Sequence, residues 1–416
     1  MKRYIILSFI AASALLFASC EQESQPTYPN GELPIFNGYM QFSTEVSTRS
    51  DLATNMRGRD FGVLGYSYSY TTNWGTAMSL ATPDIFYDLK VSCNANGVCT
   101  YDNDGNAANG NQLTPWDATK WYTFFAYSPY KFDDSGITLS DSNATSTPYL
   151  TYEYAWLDNR ALQGATIDLH NEPRMFDLVS AQAIDLDGSN NVAFNFKHRL
   201  FAIEVLANNY NETEYEYEYV TDEYGEFILD DKGNKIFKLD DKGNKIFKLD
   251  EDGKKIVIKD ATQTISDLVL RITGLTNNKM TFPLQGSGDV KFSSTQDFSD
   301  KTLAFKISDY PIDIPAFNDP TPDGRGEGVA TSISKLSSDN GTGYIMLIPE
   351  TAKLDFAVNW TQAANFTNIQ NTFDSDMDFE AGKLYQIIIN FVGSGITIAL
   401  IEAGAWDYQS VTHTFE

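Results

Sequence analysis

Histidine and cysteine are scarce in this sequence, with three of each among 416 residues. The histidines, His170, His198 and His413, are far apart, and none has the spacing of a metal-binding motif. A nucleophile elbow, a phosphate-binding loop and a dinucleotide-binding fingerprint are also missing. The sequence therefore predicts a non-enzymatic protein without a metal or a cofactor. His198, between Phe196 and Leu200 in a predicted strand, is interpreted as a structural, hydrogen-bonded residue.

Positive charge is scarce too, because 30 Lys and Arg residues stand against 56 Asp and Glu, giving a net charge of −26. A surface that binds phosphate groups needs clustered Lys and Arg, so a nucleic-acid partner is disfavoured. Residues 102–106 and 185–190 resemble parts of calcium loops, but they lack the glutamate at the twelfth position and are interpreted as turns. Paired carboxylates are too common here to be diagnostic, which leaves a glycan-acting enzyme as a weaker alternative.

Long stretches with helical apolar spacing are hard to find in this chain. Tyr and Phe are plentiful, and Asn, Asp, Gly, Ser and Thr interrupt the sequence at short intervals. This combination predicts an all-β protein. The length predicts about two or three domains, since one core rarely organises so many residues.

The first 19 residues have the pattern of a bacterial lipoprotein signal peptide. A basic start is followed by an apolar run, residues 5–17, that is too short to span a bilayer comfortably. Small residues precede Cys20, as in a lipobox, although Phe17 occupies the position usual for leucine. We predict that the Cys20 thiol is acylated and that residues 20–33 tether the fold to this lipid. An ordinary cleaved signal peptide is the alternative.

Cys93 and Cys99 remain as a pair, which is expected to be oxidised in an exported protein. They flank a segment with Asn96-Gly97, a strong tight-turn signal. The sequence therefore predicts a hairpin with a disulfide across its neck, worth at most about 2–3 kcal/mol because the loop is short. A redox function is disfavoured, since the Cys-x-x-Cys spacing is absent.

The segment Pro34–Arg49 is predicted to be one extended strand, because residues 39–46 are rich in β-favouring types. It ends in Thr48-Arg49-Ser50, a polar site suited to a trypsin-like protease. One hypothesis is that this strand completes an immature sheet, is cut away after Arg49, and leaves a groove for a strand from another subunit. The alternative is a first strand that stays in place. Arg57 and Arg59 in the following loop are alternative cleavage points.

The strongest local pattern is the aromatic run Lys120–Tyr130, predicted to be a strand buried on both faces, with a glycan-binding platform as the alternative. Phe61–Tyr70 is another predicted strand. Val192–Leu206 is predicted as one long strand with a bulge near His198, and a domain boundary is placed just before it, at residues 188–191. The strands predicted in the second half are residues 265–275, 280–284, 302–307, 344–349, 354–360, 384–392 and 396–401.

Residues of about 210–262 carry an internal repeat. Leu229–Lys238 recurs identically as Leu239–Lys248, a degenerate copy follows from Leu249, and Tyr and Glu alternate strictly in residues 215–219. Each ten-residue unit combines a turn of the Asp-x-Gly type with a short apolar strand. Both faces are too charged for a large core, and identical copies are typical of a tolerant surface segment. We predict a protruding β-ribbon.

The last stretch, Glu402–Glu416, is predicted to be extended and amphipathic. Its large apolar residues are Trp406, Tyr408, Val411 and Phe415. Such a segment could leave the body of the protein and pair elsewhere.

Several short motifs follow one another in a characteristic order. A lipoprotein leader and a first strand that ends in Thr-Arg precede Phe61-Gly62-Val63 and the aromatic run. The later motifs are Phe176-Asp177-Leu178, Phe194–Leu200 (FNFKHRL), Tyr344–Pro349 (YIMLIP), Ala381–Tyr385 (AGKLY) and Trp406. In this order they resemble the fimbrillin-like family, the type V pilins of Bacteroidia, over nearly the whole mature chain except the repeat.

The resemblance implies two transthyretin-like antiparallel β-sandwich domains in tandem, here residues 34–190 and 191–416. It implies export as an outer-membrane lipoprotein and removal of the first strand by an arginine-specific or similar protease. The C-terminal strand of another subunit then fills the groove through main-chain hydrogen bonds and alternating side chains. Carried over to this chain, Arg49 is the expected cut and residues 402–416 contain the expected donor strand. The partners are then other pilin subunits, in a homopolymer or a heteropolymer.

Two functions follow from this resemblance. The first is a structural subunit of a cell-surface fimbria that polymerises by protease-triggered strand exchange. The alternative is a pilus-tip or monomeric surface adhesin or glycan-binding lipoprotein, in which the ribbon or the aromatic loops contact a host or bacterial surface ligand. The duplicated ribbon could hinder packing in a stalk, and would suit a tip or accessory subunit.

Overall fold

The computed structural model describes residues 42–45, 59–78, 81–94, 98–101, 114–131, 133–140, 148–157, 159–162, 164–168, 175–188, 192–284, 290–294, 298, 301–306, 311–318, 331–332, 344–362, 365–372, 377–393, 395–405 and 410–414. Their regular structure is almost entirely β-strand, which confirms the predicted all-β class. Two single-turn helices, α1 (Trp74–Ala77) and α2 (Asn159–Leu162), interrupt it.

The first half contains strands β1 (Phe42–Glu45), β2 (Asp60–Ser69), β3 (Phe86–Cys93), β4 (Cys99–Tyr101), β5 (Lys120–Ser128), β6 (Ile137–Leu139), β7 (Tyr149–Glu153), β8 (Thr166–Asp168), β9 (Val179–Leu186), β10 (Val192–Asn195) and β11 (Lys197–His198). The second half contains β12 (Phe201–Asn209), β13 (Glu214–Tyr215), β14 (Val257–Lys259), β15 (Gln263–Leu275), β16 (Lys279–Pro283), β17 (Lys291–Ser293), β18 (Lys301–Lys306), β19 (Ile312–Ile314), β20 (Thr331–Ser332), β21 (Ile345–Leu347), β22 (Thr351–Gln362), β23 (Asn365–Thr372), β24 (Met377–Asp378), β25 (Lys383–Val392), β26 (Gly395–Ala405) and β27 (Ser410–Thr414).

Strand β5 lies inside a six-stranded sheet with the order β11-β9-β5-β2-β3-β4. It pairs antiparallel with β2 from Ser69↔Lys120 to Gly62↔Tyr127 and on its other side with β9. Every residue of β5 after Lys120 is buried. The prediction of a core strand is therefore confirmed, and the aromatic run is not available as a surface platform.

Side chains of β5 alternate between two separate cores. Trp121, Phe125 and Tyr127 face a large core that extends into the second half of the chain. Tyr122 and Phe124 face a smaller core on the opposite side of the sheet. The other large side chains of this small core are Phe61, Val63, Phe86, Val91, Tyr101, Trp116, Val179, Val192, Phe194 and Phe196. Burial on both faces makes β5 the hydrophobic centre of the first sheet.

The predicted long strand over residues 192–206 is interrupted, because β11 ends at His198 and β12 begins at Phe201. Val192, Phe194 and Phe196 pack in the small core of the first sheet. These side chains therefore pack with strands that precede the predicted boundary at residues 188–191. Arg199 and Leu200 connect β11, in the first sheet, to β12.

A buried polar cluster lies where the chain passes from the first sheet to β12. The ring of His198 lies against Asp177, and its Nδ1 atom is hydrogen-bonded to Asp177 Oδ1 over 3.0 Å, in agreement with its interpretation as a hydrogen-bonded structural residue. Arg199 Nε donates to Ser180 Oγ over 2.7 Å, and its guanidinium lies 5.0 Å from the centroid of the Phe282 ring. Burial lowers the pKa of Arg199. The cluster thus links β9, β11 and β16.

The two halves of the chain share β-sheets. β7 pairs antiparallel with β16 in a four-stranded sheet of order β17-β16-β7-β6, and β8 pairs in parallel with β18. The hydroxyl oxygens of Thr151 and Thr281 lie 3.0 Å apart across the β7–β16 pair. Strands that the prediction assigned to the first domain therefore pair with strands of the second. The tandem transthyretin-like arrangement stays a prediction.

Two further sheets organise the second half. One has the order β20-β12-β25-β26-β27, and β12 runs parallel to β25 from Ala202↔Leu384 to Asn209↔Phe391. The other has the order β23-β22-β15-β18-β8. β12 and β15 contribute completely or almost completely buried side chains to the large core: Phe201, Ile203, Val205, Ile265, Leu268, Leu270 and Ile272. Both sheets thus cover the same apolar interior.

We expect Gly136→Ala to lower the free energy of unfolding by about 3 kcal/mol. Gly136 has a φ of +71°, where a left-handed conformation alone costs about 1–2 kcal/mol. An added Cβ would also clash with the backbone oxygen of Glu153 across the β6–β7 hairpin. Urea denaturation measures the change.

The matched control for this substitution is Gly164→Ala. Gly164 has a φ of +90°, but no atom lies within 4 Å of its added Cβ. Its substitution should cost about 1–2 kcal/mol, from the backbone conformation alone. Equal losses in the two variants would contradict the close approach of Gly136 to Glu153.

Candidate functional site: the first and last strands

Strand β1 lies beside the small core. It pairs in parallel with β10, from Phe42↔Val192 to Glu45↔Asn195. It also approaches β4, an edge strand of the six-stranded sheet. β1 therefore occupies a gap between β10 and β4. The remainder of the predicted strand, residues 34–41 and 46–49, lies outside the described residues.

The core next to β1 is apolar and closed to solvent. Val192 and Phe194 in β10 are both 0% exposed. The ring of Phe194 lies 5.9 Å from those of Phe61 and Phe196. Exposing a large apolar side chain costs about 1.5–3 kcal/mol, so a vacated gap would favour a replacement strand. The vacated edge of β10 would also offer main-chain hydrogen-bonding groups.

The predicted cleavage points have different positions relative to the described fold. Arg49 and Arg57 lie outside the described residues, as does the predicted lipidation site, Cys20. Arg59 directly precedes β2, and its carbonyl accepts a 3.0 Å hydrogen bond from the backbone N–H of Cys93. A cut after Arg59 would require this hydrogen-bonded start of β2 to open, which disfavours Arg59 as a protease site.

The two cysteines of the predicted hairpin are bonded to each other. Cys93 and Cys99 lie opposite one another at the ends of β3 and β4, and their sulfur atoms form a disulfide. The intervening turn, residues 95–97, lies outside the described residues. The disulfide ties the edge strand β4, which borders the gap occupied by β1, to the rest of the first sheet.

Strand β27 at the other end of the chain is paired within the same protein. It runs antiparallel to β26, from Ser410↔Ala403 to Thr414↔Ala399, and is the last strand of its sheet. Val411 belongs to β27, whereas Trp406, Tyr408 and Phe415 lie outside the described residues. Residues 402–405, the start of the predicted donor segment, belong to β26. A donor strand would therefore have to leave the edge of its own sheet.

The predicted β-ribbon is confirmed over residues 214–259. Its base is the β13–β14 pair, and single bridges continue it toward a tip turn, Asp222–Glu226. Each ten-residue repeat makes a hairpin, as in the bridges Leu229↔Lys235 and Leu239↔Lys245. Gly233 and Gly243 in these turns have φ values of +84° and +85°, which explains a glycine at this place in each copy.

The carboxylates of Asp230 and Asp240 organise two of these turns. Asp240 Oδ1 accepts hydrogen bonds from the backbone N–H groups of Lys242 and Asn244, and Oδ2 accepts from the Asn244 side chain. Asp230 makes the same bonds one repeat earlier. The hydrogen bonds from the backbone and side chain of Asn244 lower the pKa of Asp240, because they favour its charged form.

Other kinds of site are not apparent in the described part of the chain. Those residues contain no group of three or more His, Cys, Asp or Glu side chains arranged to hold a metal ion. No helix among them is both long and apolar enough to cross a bilayer. Asp185, which belongs to one of the turns that resemble a calcium loop, accepts hydrogen bonds from Tyr68 and the backbone of Trp74. Its carboxylate therefore stabilises α1, and residues 102–106 lie outside the described residues.

The class of protein that this chain resembles is the fimbrial subunit. A stretch of 124 residues is 31% identical to the fimbrium subunit Fim1C of Phocaeicola vulgatus, which confirms the resemblance indicated by the sequence motifs. The match covers 28% of this chain and 30% of the relative, so it spans less than a third of that protein. No protein-family model matches the chain. A fimbrial protein from Bacteroides vulgatus of known structure is 15% identical, with a TM-score of 0.49, over 89% of this chain and 99% of that chain.

We expect Phe194→Ala to lower the free energy of unfolding by about 3–5 kcal/mol, the usual cost of deleting a buried ring. Phe194 is 0% exposed beside β1, whereas Phe292 on β17 is 44% exposed. Phe292→Ala should therefore change stability by less than about 1 kcal/mol. Denaturant titration of both variants measures the difference, and a small effect of Phe194→Ala would mean that the core beside β1 is not closed.

We expect Asn244→Ala, which removes the side-chain donor but keeps the backbone N–H, to raise the pKa of Asp240 part of the way toward its ordinary value, while Asp230 in the identical repeat keeps its lowered pKa. Carboxyl NMR titration measures both groups in one sample. A carboxylate with a lowered pKa stabilises the fold above its unfolded pKa, and this stabilisation is lost as the pH falls through the folded pKa. The turn of the variant repeat should thus become less sensitive to acid. An unchanged Asp240 titration would contradict the hydrogen bond assigned to the Asn244 side chain.

Proposed function

We propose that this protein is a structural subunit of a cell-surface fimbria that polymerises by exchange of terminal strands. The observation that carries the proposal is the position of β1. This strand of four residues fills a gap between β10 and the edge strand β4 beside an apolar core. In the described part of the chain, its hydrogen-bonded neighbour is β10 alone.

A short strand with one hydrogen-bonded neighbour contributes few main-chain bonds, so its loss leaves the six-stranded sheet intact. The loss uncovers apolar side chains of β10, including Phe194, and an unpaired edge. A strand from another subunit would restore both the hydrogen bonds and the apolar cover. β-augmentation of this kind would make the assembled form more stable than the cut monomer.

The donor in this proposal is the C-terminal segment that contains β27. β27 is an edge strand paired along five residues with β26, so its release breaks one ladder and leaves β25 and β26 paired. The release cost is recovered in the neighbouring subunit, where the strand is bordered by β10 and β4. Filling the groove would thus make the polymer more stable than a cut monomer in which β27 stays paired with its own β26.

Processing and location complete the proposal. Cys20 anchors the exported precursor to the outer membrane through lipid, and cleavage after Arg49 releases the first strand. Arg57 is the second choice, because the hydrogen-bonded carbonyl of Arg59 makes that site less accessible. The partners are other pilin subunits, of the same or a related kind.

A second function, a pilus-tip or monomeric surface adhesin, is favoured by one observation. The ribbon exposes apolar side chains at regular intervals, with Leu229, Leu239 and Leu249 each more than half exposed. Its tip carries Tyr224, which is 83% exposed. A surface of this kind on a cut but unpolymerised chain would suit contact with a host or bacterial surface ligand.

The test uses the full chain with Cys20→Ser, which removes the lipid. Trace trypsin should produce one new N-terminus after Arg49 or Arg57, followed by a ladder of high-mass species on a gel. The Arg49→Ala variant should shift the cut to Arg57 or slow it strongly. Mass spectrometry identifies each new terminus.

A chain ending at Gln409 is the matched control, since it keeps the cleavage points and lacks β27. It should be cut at the same rate, stay monomeric, and bind a synthetic peptide of residues 402–416 after the cut but not before. Polymerisation without β27 would contradict the donor assignment. A cut full chain that remains a stable monomer would overturn the stalk function and favour the adhesin.

A further inference from the structure

The ribbon is built from layers in which three backbone segments are hydrogen-bonded in a closed triangle. In the layer nearest the tip, Val220 N–H donates to Ile236, Ile236 N–H to Ile228, and Ile228 N–H back to Val220. The same triangle recurs with Glu218, Ile246 and Lys238, and again with Glu216, Ile256 and Lys248. The distances are 2.8–3.1 Å throughout. Each layer therefore takes one segment from the strand before the tip and two from the chain after it.

Successive layers are two residues apart on the strand before the tip and ten residues apart in the repeats. Tyr219 bridges to Phe237, Tyr217 to Phe247, and β13 places Tyr215 opposite Val257. Over residues 215–220, YEYEYV, the strand supplies the dipeptide Tyr-Glu twice and then Tyr-Val, and the repeats supply one decapeptide for each step. The two periods are thus coupled by the bridges.

The aromatic rings of the two periods form one continuous column. Tyr219 stacks on Phe237 at 5.0 Å between centroids, and Tyr217 stacks on Phe247 at 4.9 Å. Edge contacts of 5.3–5.6 Å join these pairs to one another and to Phe227 and Tyr215. Every inner ring therefore contacts the ring of the residue that is bridged to it and one ring of a neighbouring bridge.

A lysine of each repeat covers the rings of its layer. The Nζ atoms of Lys235, Lys245 and Lys255 lie 3.6, 3.9 and 4.0 Å from the centroids of Phe227, Phe237 and Phe247. The same ammonium groups lie 4.9–5.3 Å from Tyr219, Tyr217 and Tyr215. Cation–π contacts of this geometry are worth about 0.5–1 kcal/mol each at exposed sites. The faces of these rings are thereby covered by lysine side chains of the ribbon itself.

Ion pairs repeat with the same coupled period. Lys238 contacts Glu218 at 2.9 Å, and Lys248 contacts Glu216 at 2.7 Å. Lys259 and Glu214 are 3.6 Å apart at the base. A Tyr-Glu dipeptide on the strand thus supplies a ring for the column and a carboxylate for the lysine of the facing repeat.

We propose that the ribbon is an extensible spike whose unit is one Tyr-Glu dipeptide matched to one decapeptide, and that its length changes only by whole matched units. One unit advances the strand by two residues, or about 7 Å. The number of units then sets how far the exposed tip turn stands from the body of the protein. The proposal is independent of strand exchange, because it concerns the ribbon alone.

Three deletions test the matching in the full chain with Cys20→Ser. The first removes one decapeptide, residues 239–248, the second removes Tyr217-Glu218, and the third removes both segments. Each single deletion leaves either a dipeptide of the strand without its decapeptide or a decapeptide without its dipeptide. The tip hairpin should therefore lose its pairing register. Amide hydrogen exchange at Val220, Asp222 and Ile228 should then accelerate at least about tenfold. In the double deletion the exchange rates should return to those of the parent.

Two further measurements separate register from other effects. Tyr217→Thr removes an inner ring but keeps both periods, so the tip amides should exchange within a few-fold of the parent rate. Amides of β5 and β12 report whether the body stays folded in all variants. The proposal is overturned if the double deletion exchanges as fast as either single deletion, or if removal of residues 239–248 alone leaves the tip amides protected.

Discussion

The burial of β5 on both faces is the constraint on which the first half of the structure depends. A strand with aromatic side chains on both sides needs apolar cover on both sides, since each exposed ring would cost several kcal/mol. The second half of the chain covers one face through the large core. The other face, with Tyr122 and Phe124, has a smaller core whose boundary includes β10 and its neighbour β1. A strand near the N-terminus thus pairs with a strand of this core that lies far along the sequence.

Elements fixed by local pattern could be predicted from the sequence, and those fixed by distant contacts could not. The strands over residues 60–69 and 120–128 follow from aromatic patterning, and the ribbon follows from its repeat. Val192 and Phe194 share a core with the first sheet, where Phe194 contacts Phe61, more than 100 residues earlier in the chain, and their own pattern is that of any strand. The parallel pairing of β8 with β18 has no local signal either. A first strand that ends in Thr-Arg suggests the hypothesis of a groove left by its removal. That β10 and β4 would border this groove could be inferred only from the sheet topology.

The ribbon bears on which surfaces are available for binding. An aromatic ladder in a surface protein suggests a platform for sugars, which bind to exposed ring faces. Here the faces of Tyr217, Tyr219 and Phe237 are occupied by neighbouring rings and lysines. The most exposed apolar side chains of the ribbon are Tyr224 at the tip, Ile258 near the base and the leucines of the hairpins. A partner of the ribbon would therefore meet separate apolar groups among charges.

The shared sheets have a mechanical consequence. If the chain polymerises through its terminal strands, as proposed above, tension on the filament would enter it near one terminus and leave near the other. Two domains joined by a single linker would separate along that linker under modest force. Here the β7–β16 and β8–β18 ladders join the early and late parts of the chain, so separating them requires rows of hydrogen bonds to break together. The subunit should therefore respond to stretching as one stiff body.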